Sequence, residues 1–215
     1  MEDKYIVSYS TGKDSVLALC RAIKSGKDVV GLLVITHDDK DTSWFHETPL
    51  RLIKSVSKSL DISLILVKAS GENYEKDFEE GLKRGQELGA TCCIFGDIDI
   101  DSHRKWCDDR CKKVSMKSDF PLWQESREDL VFEFVEADFK AVIKKVNLNY
   151  LDENFLGLDL DKETLKRIKE KNCDVCGENG EYHTFVYDGP LFKGKVDFKV
   201  DSISKDETFA HLNIF

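Results

Sequence analysis

The chain has no apolar run approaching the ~20 residues that a helix needs to cross a bilayer. It also shows no secretory leader: Met1-Glu2-Asp3-Lys4 is charged and passes directly into a short apolar segment. Both absences lead to the expectation of a cytoplasmic protein without a membrane partner. Positive charge is in short supply, with 32 Lys and Arg against 41 Asp and Glu for a net charge of −9. A broad, sequence-independent grip on RNA or DNA needs clustered cations. Nucleic acid is therefore not an expected partner, although Lys112-Lys113 and Lys144-Lys145 form local basic pairs. The seven cysteines are an odd count that fits reduced thiols better than a disulfide framework. Two familiar phosphate motifs are missing. A Walker A loop would need Gly where Val7 stands and would not place Asp14 after Lys13, and Gly12 stands alone where a dinucleotide fingerprint needs three glycines.

What is present reads as a globular α/β protein, 41% hydrophobic and 34% charged. At 215 residues it is long enough for a nucleotide domain with a smaller partner. In the first half, apolar strands at 5–7, 29–35, 62–67 and 92–95 alternate with amphipathic helices at 16–23, 49–60 and 74–88. That rhythm predicts a doubly wound parallel sheet. Beyond it the pattern predicts helices at 102–114 and 125–136, a short extended piece at 120–123, and strands at 139–146, 183–187 and 195–200. The charge-rich stretch 161–171 reads as a surface helix. A boundary near Trp123 divides the chain into 1–123 and 124–215.

The first strand runs straight into Ser10-Thr11-Gly12-Lys13-Asp14-Ser15 and then into a helix. Small residues at a strand-to-helix turn let backbone N–H groups close around an anion, and the helix N-terminus adds partial positive charge. Lys13 supplies a formal charge, while Ser10, Thr11 and Ser15 supply hydroxyl donors. The bland alternative, a tight turn with helix caps, is weighed against its place after the first strand of a doubly wound sheet, where such folds bind ligands. The position favours phosphate.

This loop resembles the PP-loop, Ser-Gly-Gly-x-Asp-Ser, of N-type ATP pyrophosphatases, with Thr11 replacing the first Gly. The resemblance implies a HUP-type, adenine nucleotide alpha hydrolase-like sheet in the order 3-2-1-4-5, ATP as nucleotide, and cleavage between the α and β phosphates. In that order Gly96-Asp97, ending the fourth strand, faces the loop after the first. Gly96 would permit close backbone approach and Asp97 would hold Mg²⁺. Near the other end, Cys176-Gly177-Glu178-Asn179-Gly180-Glu181-Tyr182-His183-Thr184 is a loop entering a strand, with glycines flanking acidic and amide groups. On residue types alone it reads as a solvated hairpin. Together with the PP-loop and Phe120-Pro121-Leu122-Trp123, it resembles the diphthine–ammonia ligase family, whose C-terminal domain carries a Gly-Glu-x-Gly-Glu-aromatic motif.

The resemblance covers roughly Lys4 to Phe192 and implies an ATP-dependent, AMP- and pyrophosphate-forming ligase. Such an enzyme adenylates a carboxylate, on a small molecule or a modified protein side chain, for amidation by ammonia. It assigns Lys13, Asp14 and Asp97 to catalysis, Ser10 to Ser15 with Gly96 to ATP, and Glu178, Asn179, Glu181, His183 and Thr184 to the substrate. His183 and the run from Gly96 to Arg104 depart from the archaeal and eukaryotic pattern and resemble bacterial relatives, so the ATP chemistry transfers better than the substrate. Two other functions stay open: a nucleotide sensor that never turns ATP over, and a PP-loop RNA-modifying enzyme with Cys107, Cys111, Cys173 and Cys176 on zinc. His46, ahead of a helix, invites a capping or nucleotide-facing role, and His103 invites contact with phosphate or an ordinary place at a helix start. A homodimer is among the assemblies left open.

Overall fold

The computed structural model describes residues 3–215. Strands β1 (Lys4–Ser8), β2 (Asp28–His37), β3 (Leu64–Ala69), β4 (Cys92–Ile94) and β5 (Lys117–Asp119) form one sheet in the order β3-β2-β1-β4-β5. Every pairing in it is parallel. The strands are apolar on both sides because both sides are covered. Val7, Leu32, Val34 and Ile94 face helices α1 (Lys13–Lys24) and α2 (Leu50–Leu60), while Ile6, Leu33, Ile35 and Cys93 face α3 (Tyr74–Glu87) and α4 (Asp101–Lys113). This is the doubly wound, HUP-like arrangement expected, with β1 and β4 adjacent.

Strands β6 (Lys140–Asn147), β7 (Tyr182–Asp188), β8 (Val200–Lys205) and β9 (Phe209–Ile214) form a smaller antiparallel sheet, ordered β7-β6-β9-β8. It is accompanied by α5 (Arg127–Glu136) and α6 (Lys162–Glu170). Each of these helices starts at a side-chain cap: Ser126 Oγ accepts from Asp129 N at 3.3 Å, and Asp161 Oδ1 accepts from Thr164 N at 2.8 Å. The α1/α2 core is continuous with the core beneath the small sheet, joining Leu17 and Val56 to Leu130, Phe134, Ile143 and Phe185. Arg21 reinforces that seam from α1 through ion pairs to Glu125 and Glu133.

Several expected elements are corrected. Pro121 to Gln124 form turns, not an extended piece, and β5 lies just before them. Residues 195–199 are irregular; β8 starts at Val200, where the expected strand was to end, and β9 follows it. The 161–171 helix is not merely surface, since Thr164, Leu165 and Ile168 are buried. No helix among the described residues is long and apolar enough to cross a membrane.

Candidate active site

The C-terminal ends of β1 and β4 open into a cavity of about 620 Å³. The turn after β1 builds its floor with short-range hydrogen bonds. Ser15 Oγ donates to Gly12 O at 2.9 Å and accepts from Ser10 N and Ser10 Oγ at 3.3 and 3.2 Å, while Gly12 N donates to Ser10 Oγ at 3.3 Å. Gly12 precedes α1 and has no side chain to cap it. The small sheet supplies the cap instead, with Thr184 Oγ1 accepting from Lys13 N at 3.1 Å. The first-turn N–H groups of Asp14 and Ser15 have no intrahelical acceptor, and both residues line the cavity. A Cβ on Gly96 would lie 2.8 Å from the Asp14 carbonyl carbon and 2.9 Å from Ser15 N, so β4 approaches this helix start as closely as a glycine allows.

Thr11 corrects an expectation. Its φ is 67°, the left-handed region where a β-branched residue is strained and glycine is at ease. Its side chain is fully buried, with Oγ1 2.9 Å from Thr48 Oγ1, so it offers no hydroxyl to a phosphate. The Thr11 carbonyl accepts from Val186 N at 2.9 Å and ties the turn to β7.

Lys13 is 6% exposed, and its Nζ donates to both Asp14 oxygens at 2.7 and 2.8 Å. Burial works to lower its pKa, but Asp14, Cys176, Tyr182 and Glu178 together outweigh burial and hold the ammonium well above its ordinary range. The ligand atoms of Asp14, Cys176 and Glu178 lie within 4.8 Å of one another. Burial, reinforced by Asp14, pushes Glu178 up to about 7, and burial pushes the Cys176 thiol up to about 12. Asp97 lines the same cavity but stands outside that trio. Burial raises its pKa against the pull of His103, whose Nδ1 is 3.7 Å from Asp97 Oδ1. Two carboxylates beside a phosphate site suit Mg²⁺, which binds through one or two carboxylates plus substrate phosphates. Asp14 and Glu178, rather than the Asp97 expected, are the fitting pair, since Mg²⁺ takes oxygen ligands in preference to sulfur and Asp97 stands outside the trio.

The second loop is organised from within. Glu181 is 2% exposed; its oxygens accept from Asp174 N at 3.1 Å, Asn179 N at 3.0 Å and Asn179 Nδ2 at 3.1 Å. Glu181 and Asn179 are therefore loop-holding groups, not the substrate-facing ones expected, because a carboxylate buried this deeply is stable only when its lone pairs are spent on nearby N–H donors. Gly177 has φ +78°, and a Cβ there would meet the Tyr182 ring at 2.9 Å. Glu178, His183 and Thr184 do line the cavity. His46 joins them: its ring sits over Gly12, Nδ1 donates to Thr184 O at 3.0 Å, and it meets His183 edge-on at 4.9 Å. Burial pushes His46 down to about 4 and holds His183 well below its ordinary value, so both are neutral at pH 7.

An aromatic wall went unread in the sequence. Phe45, Tyr74, Phe78, Phe95 and Trp106 line the cavity beside the acidic groups, with Phe78 and Trp106 edge-to-face at 5.0 Å. Tyr74 and Phe78 on α3 and Trp106 on α4 sit at spacings that look like ordinary core, while Phe45 and Phe95 come from the segments before α2 and after β4, and only the tertiary fold brings the five to one cavity. Among the four thiols weighed for zinc, Cys107 and Cys111 lie in the α3/α4 core, whereas Cys173 and Cys176 belong to the loop before β7.

Two family models match successive parts of the chain. Residues 3–118 match the model of the diphthamide synthase N-terminal domain, and residues 126–214 match that of the C-terminal domain. Proteins named diphthine--ammonia ligase from Bos taurus and Homo sapiens are each 30% identical over 213 residues, covering 87% of this chain and 79% of theirs. A solved structure described as a predicted subunit of tRNA methyltransferase from Methanocaldococcus jannaschii DSM overlays with a TM-score of 0.47 at 14% identity, covering 87% of this chain and 98% of that one. With one domain model matching more than half of the residues and a second matching most of the remainder, the chain belongs to the diphthamide synthase family and is an ATP-dependent ligase.

Proposed function

We propose that the chain adenylates a carboxylate and passes the acyl group to ammonia, with diphthine, the acid in its relatives' name, as the first candidate substrate. The observation that carries this reading is the meeting of a helix N-terminus, the Lys13 ammonium and the Asp14–Glu178 carboxylate pair in one cavity. In balance, an acid oxygen attacks the α-phosphorus and pyrophosphate leaves; ammonia then attacks the acyl carbon and AMP leaves. Asp14 and Glu178 would hold Mg²⁺, which would neutralise phosphate charge there. Lys13, which pairs with Asp14 here, turns to the departing pyrophosphate, where preorganised N–H groups of Asp14 and Ser15 assist it. The aromatic wall receives the adenine by stacking. Residues 1–123 thus carry the nucleotide, and residues 124–215 present the acid and ammonia to it. Neutral His183 offers the bound acid a hydrogen bond; burial holds it too weakly basic to take the proton that nitrogen sheds after attack, which leaves to water.

The test supplies ATP, Mg²⁺, ammonium and a diphthine-bearing peptide, and follows AMP and amide by mass spectrometry. Stoichiometric AMP and amide are expected, and Lys13→Ala is expected to slow AMP formation on the order of a hundredfold, about 2.7 kcal/mol of barrier. ATP retained intact, with no AMP at any acid tried, would favour a nucleotide sensor.

A further inference from the structure

Arg127 opens α5 at the seam between the two sheets, and nothing in the chemistry above uses it. Its guanidinium grips Asp99 with two prongs, Nε to Oδ2 at 2.6 Å and Nη2 to Oδ1 at 2.7 Å. Its remaining nitrogen donates to Asp174 Oδ2 at 2.7 Å and to Asn179 Oδ1 at 3.0 Å. Asp99 lies two residues beyond Asp97 on the loop leaving β4. Asp174 and Asn179 belong to the loop that carries Glu178. One planar group therefore fastens together two acidic loops that arrive from different sheets.

Asp174 transmits the grip. Its Oδ2 also accepts from Glu178 N at 3.2 Å, and its Oδ1 accepts from Cys176 N at 2.9 Å. The backbone of two members of the Asp14–Cys176–Glu178 trio is thus pinned to a carboxylate that Arg127 holds in place. Without that cation Asp99 and Asp174 would lose their shared counter-charge, and Glu178 would lose one that offsets the Asp14 carboxylate beside it. Arg127 does not line the cavity, and all three of its nitrogens are already engaged with these loops. It acts through the loops, not on a phosphate. A lysine would supply the charge but not the fork that spans both loops.

We propose that Arg127 is a positioning residue for the divalent cation of the nucleotide: by clamping the loop after β4 to the 174–181 loop, it sets the reach of Glu178 toward Asp14. The inference rests on the Mg²⁺–ATP reading of the cavity and adds the residue that tunes it. Groups bonded directly to a metal ligand typically change metal affinity by about 10–100-fold when lost, and Arg127, acting one bond further out through Asp174, is expected at the low end of that range.

Calorimetric titration of the full chain with α,β-methylene-ATP, with and without Mg²⁺, and with AMP as a nucleotide that needs no cation, tests it. R127Q and D99N are each expected to weaken the Mg²⁺-dependent binding by about tenfold while leaving AMP within about twofold. The double variant should bind no worse than R127Q alone, because both changes break one clamp. R127K should recover only a minor part of the loss. D99N, which keeps the guanidinium, carries the same test should R127Q fail to fold. Equal losses for AMP and the Mg²⁺-bearing analogue would reduce Arg127 to a structural strut and overturn the proposal, as would unchanged Mg²⁺-dependent binding. If the unaltered chain shows no Mg²⁺-dependent binding at all, the Mg²⁺–ATP reading itself falls, and this inference with it.

Discussion

The two loops that wall the cavity are held by opposite strategies. The turn at 10–15 is knit by serine hydroxyls and backbone groups no more than five residues apart, and it leans on the buried β1–β4 pair. The loop at 174–181 is also knit locally, but by carboxylates: Asp174 and Glu181 accept from neighbouring N–H groups, and Arg127 latches Asp174 from outside. Neutral hydroxyl and backbone bonds need no counter-charge to persist. A loop built on charges is held only as long as each charge has its partner. The turn after β1 is thus held by neutral bonds, within itself and to β7, whereas the 174–181 loop depends on paired charges.

The sharpest way to break that contrast is Glu181→Ala. It strips the acceptor from Asp174 N, Asn179 N and Asn179 Nδ2 at once, so the chain should lose about 2–3 kcal/mol and its Tm should fall by roughly 5–10 °C in a thermal melt. An unchanged melting curve would mean the inner carboxylate is not what shapes the loop. The next lever is acid. His46, pushed down to about 4 by burial, covers the turn at Gly12 and is neutral in the fold. Between its ordinary value of 6.5 and 4 the unfolded chain takes up the proton more readily than the folded one. Its stability contribution is therefore present above that window and lost as pH falls through it. Denaturant midpoints measured from pH 7 to 4 should decline less steeply in His46→Gln; parallel declines would remove His46 as a cause. The smallest effect belongs to Thr11→Val, which keeps the backbone shape and deletes one buried hydroxyl pairing. About 1 kcal/mol of stability should go, with ATP affinity unchanged within about twofold, and a larger loss of affinity would put that hydroxyl back at the phosphate.

Much of the large sheet was legible because a strand buried on both faces must be an apolar run, and β2 from Val29 to Ile35 shows one. The same logic hid β5: Lys117-Ser118-Asp119 is a three-residue edge strand with no apolar signal to read. β8 is exposed along its length and equally silent, but β9 alternates Ala210, Leu212 and Ile214 inward and was there to be found. Lys13, Asp14, Ser15, Gly96 and Asp97 could be brought to one place from sequence because the turns after β1 and β4 are neighbours in the expected strand order, and Glu178 joined them only through the motif it sits in. Glu178 and Glu181 could not be told apart. They are the same residue type three positions apart, and only the hydrogen-bonded path of the loop turns one toward the cavity and the other into its own backbone.

The hydroxyl of Thr184 completes the first turn of a helix that begins 171 positions earlier in the chain. During synthesis from the amino end, every strand of the parallel sheet is made long before that threonine emerges. The half-made polypeptide therefore owns the cradle but not its keystone, and competence to grip a nucleotide arrives only when the last quarter of the protein has folded back over the first.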